Sequence, residues 1–117
     1  MACEIAYNEC EDWLEELIKV INSNKKLVKE FIKPNMPEVN VINLEGTYIQ
    51  WLDFRGLEKD HKALEKFMIT EAMLFLDEGY IFGDEAKGFE RINLACPTKA
   101  LQEALIRLLQ AVNKCYR

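Results

Sequence analysis

From Leu14 onward the apolar residues Leu14, Leu17, Ile18, Ile21, Val28, Phe31 and Ile32 recur in helical phase, and the phase survives the polar stretch Asn22 to Lys26. The pattern predicts one long helix with room for a bend. It should stop where Lys33 meets Pro34, because proline disfavours helical geometry in the residue before it. At the other end, Met1 to Glu4 offer no Ser, Thr, Asp or Asn at a capping position, as though the chain had been cut from something longer. The short β-rich run Val39 to Asn43 and the β-branched and aromatic run Thr47 to Phe54 flank a turn at Glu45-Gly46, and suit two neighbouring strands.

Asp60 then reads as the N-cap of a helix whose buried stripe is Leu64, Phe67, Met68 and Ala72. Met73 to Leu76 is apolar and of strand length. Gly79, Gly83 and Gly88, three of the five glycines, fall in one loop with unusual backbone needs, and that loop leads to a last strand, Phe89 to Ala95. Pro97 and Thr98 open a final helix with Leu101, Ala104, Leu105, Leu108 and Val112 toward the core. The order αββαββα predicts one α/β domain over residues 1–117, of the α+β two-layer kind. It would be a small antiparallel or mixed sheet with helices on one face, since each helix has a single apolar stripe to cover.

Composition narrows the function. Half the residues are apolar and 30% are charged with both signs mixed, as in a soluble globular protein. A chain of 117 residues can bury roughly 65% of its unfolded surface, enough for one core. No apolar run approaches a membrane span and no signal peptide opens the chain, which predicts a cytoplasmic protein with no membrane partner. The net charge of −5 argues against a sequence-independent grip on nucleic acid. Cys3, Cys10, Cys96 and Cys115 form no CxxC pair and His61 is the only histidine, so no metal site is expected. The cysteines read as small packing residues, and His61 as exposed on the first turn of its helix.

In the last predicted strand, period-two geometry sets Phe89, Arg91, Asn93 and Ala95 on one face and Glu90, Ile92 and Leu94 on the other. Arg91 is one of four arginines against eleven lysines. A guanidinium offers a planar fork that can hold a carboxylate by two parallel bonds, which makes Arg91 a candidate anion clamp. On spacing alone, an arginine pairing with an acid across the sheet is the more ordinary role. Tyr48 and Trp51 fall on opposite faces of their strand, so at most one of them points toward a ligand.

The segment Gly88-Phe89-Glu90-Arg91-Ile92-Asn93-Leu94-Ala95-Cys96-Pro97 resembles a signature near the end of bacterial cystathionine β-lyases and related aminotransferase-like enzymes that use pyridoxal phosphate. Glu45 to Arg55 (EGTYIQWLDFR) is similar to another strand of that family, Gly79 to Gly83 to its G-x-x-FG loop, and Tyr7 to Leu14 to the start of the long helix that leaves its large domain. The resemblance covers nearly the whole chain in unbroken order. Two positions depart from it: Leu44 and Glu78 stand where the family often has proline, which affects loop stiffness more than chemistry.

The resemblance implies the C-terminal small domain of an aminotransferase-type protein, with the large domain absent from this chain. It implies that Arg91 holds the α-carboxylate of an amino-acid substrate, that Tyr48 lies near the substrate entrance, and that Tyr80 and Phe82 shape the side-chain pocket. The Schiff-base lysine and the other cofactor ligands would belong to the large domain. No catalytic or cofactor-binding residue is therefore expected here, and the chain alone should be inactive, with pyridoxal phosphate bound only in the intact enzyme. The implied reaction is carbon–sulfur β-elimination on a sulfur amino acid such as cystathionine or cysteine, by an intact homodimer. Transamination is the nearest alternative, and a free-standing binding domain derived from the same fold is the rival of another class.

Overall fold

The computed structural model describes residues Met1–Arg117. The helices are α1 (Ala2–Glu9), α2 (Glu11–Asn35), α3 (His61–Thr70) and α4 (Thr98–Tyr116). The strands are β1 (Asn40–Val41), β2 (Ile49–Asp53), β3 (Asp77–Glu78) and β4 (Phe89–Asn93). The strands form one antiparallel sheet in the order β1-β2-β4-β3. The expected order and two-layer architecture are found, with the first helix in two pieces. No helix is long and apolar enough to cross a membrane.

The core lies between one sheet face and the helices. Leu52 and Ile92 come from the sheet, Val28 and Ile32 from α2, Leu64, Phe67 and Met68 from α3, and Leu101, Leu105, Leu108 and Val112 from α4. Asp60 caps α3 as expected, its side chain accepting from the Lys62 N–H at 3.1 Å.

Four expectations are corrected. Helical geometry lapses at Cys10, between α1 and α2. α2 runs past Lys33 through Pro34 to Asn35, because Ile32 and Met36 are both fully buried and the Met36 N–H closes the turn on the Ile32 carbonyl. Core packing there outweighs the local preference of the residue before proline. Met73 to Leu76 is not a strand. Met73 adopts φ 55° and the Leu74 N–H goes back to the Met68 carbonyl, so the run closes α3 and pairing begins only at Asp77. The cysteines are not uniform packing residues: Cys3 and Cys115 are exposed, and Cys96 packs against the core.

Within α2, Asn24 is fully buried. Its amide donates to the carbonyls of Leu94 (2.8 Å) and Cys96 (2.9 Å), and its oxygen accepts from the Thr98 hydroxyl (2.8 Å). This side chain ties the long helix to the exit of β4 and the start of α4. Asn24→Ala would leave those buried groups unpaired, at roughly 1–3 kcal/mol for each one stranded. We expect a loss of about 3 kcal/mol, read from urea unfolding, with an unchanged m-value.

Candidate functional site

The sheet face away from the helices carries Trp51 from β2, Arg91 from β4 and Asp77 from β3 in one cross-strand row. The alternation expected for Phe89 to Ala95 is what places Arg91 there, with Glu90, Ile92 and Leu94 buried on the opposite face. The Arg91 side chain is only 17% exposed. Its guanidinium carbon lies 4.4 Å from the ring centroid of Phe82 and 5.5 Å from that of Trp51, and those two rings meet edge-on at 5.6 Å.

The charge between those rings is poorly satisfied within the protein. The nearest carboxylate oxygen, from exposed Asp77, is 3.9 Å from a terminal nitrogen, beyond hydrogen-bond range, and the buried Nε of Arg91 has no partner. Beside it Ile42, Trp51, Phe82, Glu85, Ala86 and Phe89 line a hollow of about 310 Å³. Arg55, whose guanidinium carbon lies 4.7 Å from the Phe89 ring centroid, is engaged differently: two of its nitrogens bond the Asp53 carboxylate at 2.9 and 2.8 Å, which holds that carboxyl below its usual range. Arg91 is thus the cation of this face with donors to offer.

Phe82 reaches the guanidinium because of the glycine loop. Gly79 opens a 3₁₀ turn, Gly79–Phe82, at a point where a Cβ would clash with the Ala86 carbonyl oxygen. Gly83 leaves that turn at φ 133°, a conformation that side chains oppose. The two glycines fold the loop back on itself and present Phe82 to β4.

Arg91 and Phe82 are brought together; the other two expected site residues lie elsewhere. Tyr48 is 45% exposed and lines a separate apolar groove with Leu14, Leu17, Ile18 and Leu44. Tyr80 packs edge-on against His61 at 5.2 Å, which leaves His61 half-buried rather than exposed, and the Glu65 carboxylate raises the Tyr80 phenol above its ordinary value. Sequence reasoning missed Asp77, because its strand was expected four residues earlier, and it missed an acidic pair behind the site. Glu90 is fully buried on the core face directly opposite Glu78, itself 9% exposed. Burial, and then the Glu78 carboxyl, push Glu90 up to about 10, and burial raises Glu78 as well. Period-two alternation already put Glu90 on one face with Ile92 and Leu94, which the structure shows to be the core face; its partner was hidden.

No family model matches the chain. Among known proteins it is similar to cystalysin from Treponema denticola, whose crystal structure contains a pyridoxal 5′-phosphate cofactor, with 56% identity and a TM-score of 0.93 over 97% of this chain and 29% of that one. It is 32% identical over 107 residues to protein MalY of Escherichia coli, and 30% identical over 112 residues to the cystathionine β-lyase PatB of Bacillus subtilis. Those matches span 92% and 96% of this chain but only 27% and 29% of the relatives, in their C-terminal part. With the fold, the Arg91 strand and the glycine loop all in place, the chain belongs to the pyridoxal-phosphate-dependent aminotransferase class I/II family, on its cystathionine β-lyase side, and corresponds to the C-terminal domain of those proteins.

Proposed function

We propose that this chain is the substrate-carboxylate-binding domain of a pyridoxal-phosphate-dependent carbon–sulfur lyase, with Arg91 as the clamp. The observation that carries this reading is the Arg91 guanidinium, lying against the Trp51 and Phe82 rings on the open side of the sheet with a buried Nε that no protein group satisfies. An α-carboxylate arriving there would take up the fork in a bidentate pair, and the weak contact with exposed Asp77 would be given up at little cost. Trp51 and Phe82 would keep water from the charge pair and so strengthen it.

In this reading the residues of this chain make no cofactor cradle. No lysine lines the hollow beside Arg91, and Lys87, the lysine nearest to it in sequence, pairs with Asp84 at 3.4 Å. In this reading the cofactor and the proton-transferring groups belong to a large domain, and the small domain fixes one end of the substrate. Fixing that end orients the Cα–H bond for proton removal, and orientation is a large part of catalysis. Tyr48 and Tyr80 face other hollows, so they would take part only through surfaces that the large domain completes. A homodimer and a cytoplasmic setting go with the same reading, the latter in keeping with four free thiols.

The test is product analysis on the full-length protein loaded with pyridoxal phosphate. Cystathionine and water should give homocysteine, pyruvate and ammonia in equal amounts without a keto-acid acceptor. Transfer of the amino group to an added keto acid, with no pyruvate released in its absence, would replace lyase by aminotransferase.

A further inference from the structure

Strand β3 is two residues long, and its side chains leave opposite faces of the sheet. Asp77 stands opposite Arg91 on the open face, and Glu78 stands opposite Glu90 on the covered one. Neither carboxyl oxygen of Glu90 meets a donor. On β2 the residue across from Glu90 is Leu52, which has none to give. The charged and titratable groups around the pair are Glu65 and His61 from α3, Asp77 from β3 and Tyr80 from the 3₁₀ turn. Glu65 and Asp77 add negative charge, while the hydrogen bond with Glu90 and then the charge of His61 favour ionisation of Glu78.

Two ionised carboxylates cannot share such a place. One proton between them turns repulsion into a charge-assisted O–H···O⁻ bond. Glu78 also immediately precedes the turn Gly79–Phe82, so whatever holds Glu78 also holds Phe82 four residues on.

We propose that Glu78 and Glu90 share one proton as a latch that fastens β3 to β4 and thereby sets Phe82 and Asp77 around Arg91. Its meaning for substrate rests on Arg91 being the carboxylate clamp; the latch itself does not. Both glutamates are positioning residues. When the proton leaves, the carboxylates repel across an edge strand with little else to hold it, and Phe82 swings off the guanidinium, which is then hydrated and grips an anion less firmly. Because burial raises both carboxyls above their ordinary values, the latch is closed at low pH and opens as pH rises through the pair's raised range.

Trp51, which touches both Phe82 and Arg91, reports the state of the latch, and Trp13 is 66% exposed and can be removed. In a Trp13→Phe background the 117-residue chain would be titrated from pH 6 to 10 without any carboxylate ligand. Trp51 emission, the carboxyl ¹³C shifts of labelled glutamates and far-UV circular dichroism would be followed together. We expect one emission step that tracks the Glu78 and Glu90 carboxyl shifts while the helical signal stays constant. Glu90→Gln, whose amide can donate to Glu78 at every pH, should abolish the step and hold the low-pH emission; tyrosine ionisation persists in that variant and is subtracted. Carboxyls that titrate with no emission step, an emission step that survives in Glu90→Gln, or an emission change that comes only with loss of helix would each overturn the latch. Since no ligand is present, these outcomes are independent of whether Arg91 binds carboxylates.

Discussion

Replacing Arg91 by lysine in the full-length protein is expected to lower kcat/KM for an amino-acid substrate by about ten- to a hundredfold, with the positive charge retained. A lysine ammonium can approach one carboxylate oxygen but cannot make the parallel pair of bonds. Charge-assisted hydrogen bonds contribute about 1.5 to 3 kcal/mol each, so the loss of one corresponds to that range of rates. Lysine would also lose the contacts of the guanidinium with the Trp51 and Phe82 rings, 5.5 and 4.4 Å from its central carbon. The damage should follow the carboxylate. An amine lacking that group should react equally poorly with wild type and variant, whereas equal damage to both substrates would make Arg91 a structural residue. Circular dichroism and a melting curve belong beside the kinetics, because a side chain only 17% exposed also packs. Unchanged kcat/KM in a normally folded variant would refute the clamp.

The second large effect is on stability. Glu90 has an ordinary carboxyl value near 4.5 when unfolded and is pushed up to about 10 in the fold, so the folded state binds a proton that the unfolded state releases. Its stabilising share is complete below the unfolded value and is lost as pH rises toward the folded one. Across that window the wild type should lose stability at up to about 1.4 kcal/mol per pH unit, flattening once the β3 edge opens and the carboxylate is hydrated. Glu90→Gln removes this dependence and supplies a permanent donor to Glu78. It should therefore be more stable than wild type by about 2 kcal/mol or more at pH 8, with the gap narrowing toward pH 5. Urea unfolding at several pH values measures this. A variant less stable than wild type at pH 8, or a gap independent of pH, would mean that Glu90 is held as an anion by contacts that outweigh its burial.

The parts that were legible in sequence are those where one local rule had no competitor. Alternation in Phe89 to Asn93 set the faces of β4, and with them the placement of Arg91, and Asp60 stood alone as a cap ahead of an apolar stripe. Three glycines announced unusual backbone geometry, but where the loop would carry Phe82 depends on the close approach of Gly79 to the Ala86 carbonyl, which no local pattern encodes. Met73 to Leu76 misled because an apolar run of strand length can also serve as a helix stop followed by irregular chain outside the sheet. Pro34 misled because the burial of Ile32 and Met36 is worth more than the preference it violates. Asn24 carried an unused signal. It lies four residues before Val28 and eight before Ile32, on the helix's own buried stripe, where a polar residue must find partners. The acidic pair was half visible: alternation grouped Glu90 with the apolar Ile92 and Leu94, but Glu78 could be matched with it only after β3 was correctly placed.

The connectivity also bears on how this domain assembles during synthesis. β2 pairs with β4 across an intervening helix and loop, and the buried side of α2 is shared with α4, whose C-terminal neighbour Arg117 bonds the Asn35 carbonyl at 2.9 Å and the Glu38 carboxylate at 2.8 Å. The contacts that shelter the first half are therefore made by the last twenty residues. A nascent chain emerging from the ribosome would carry part of the stripe of α2 uncovered until α4 is free, so completion of the core must wait until α4 has been made.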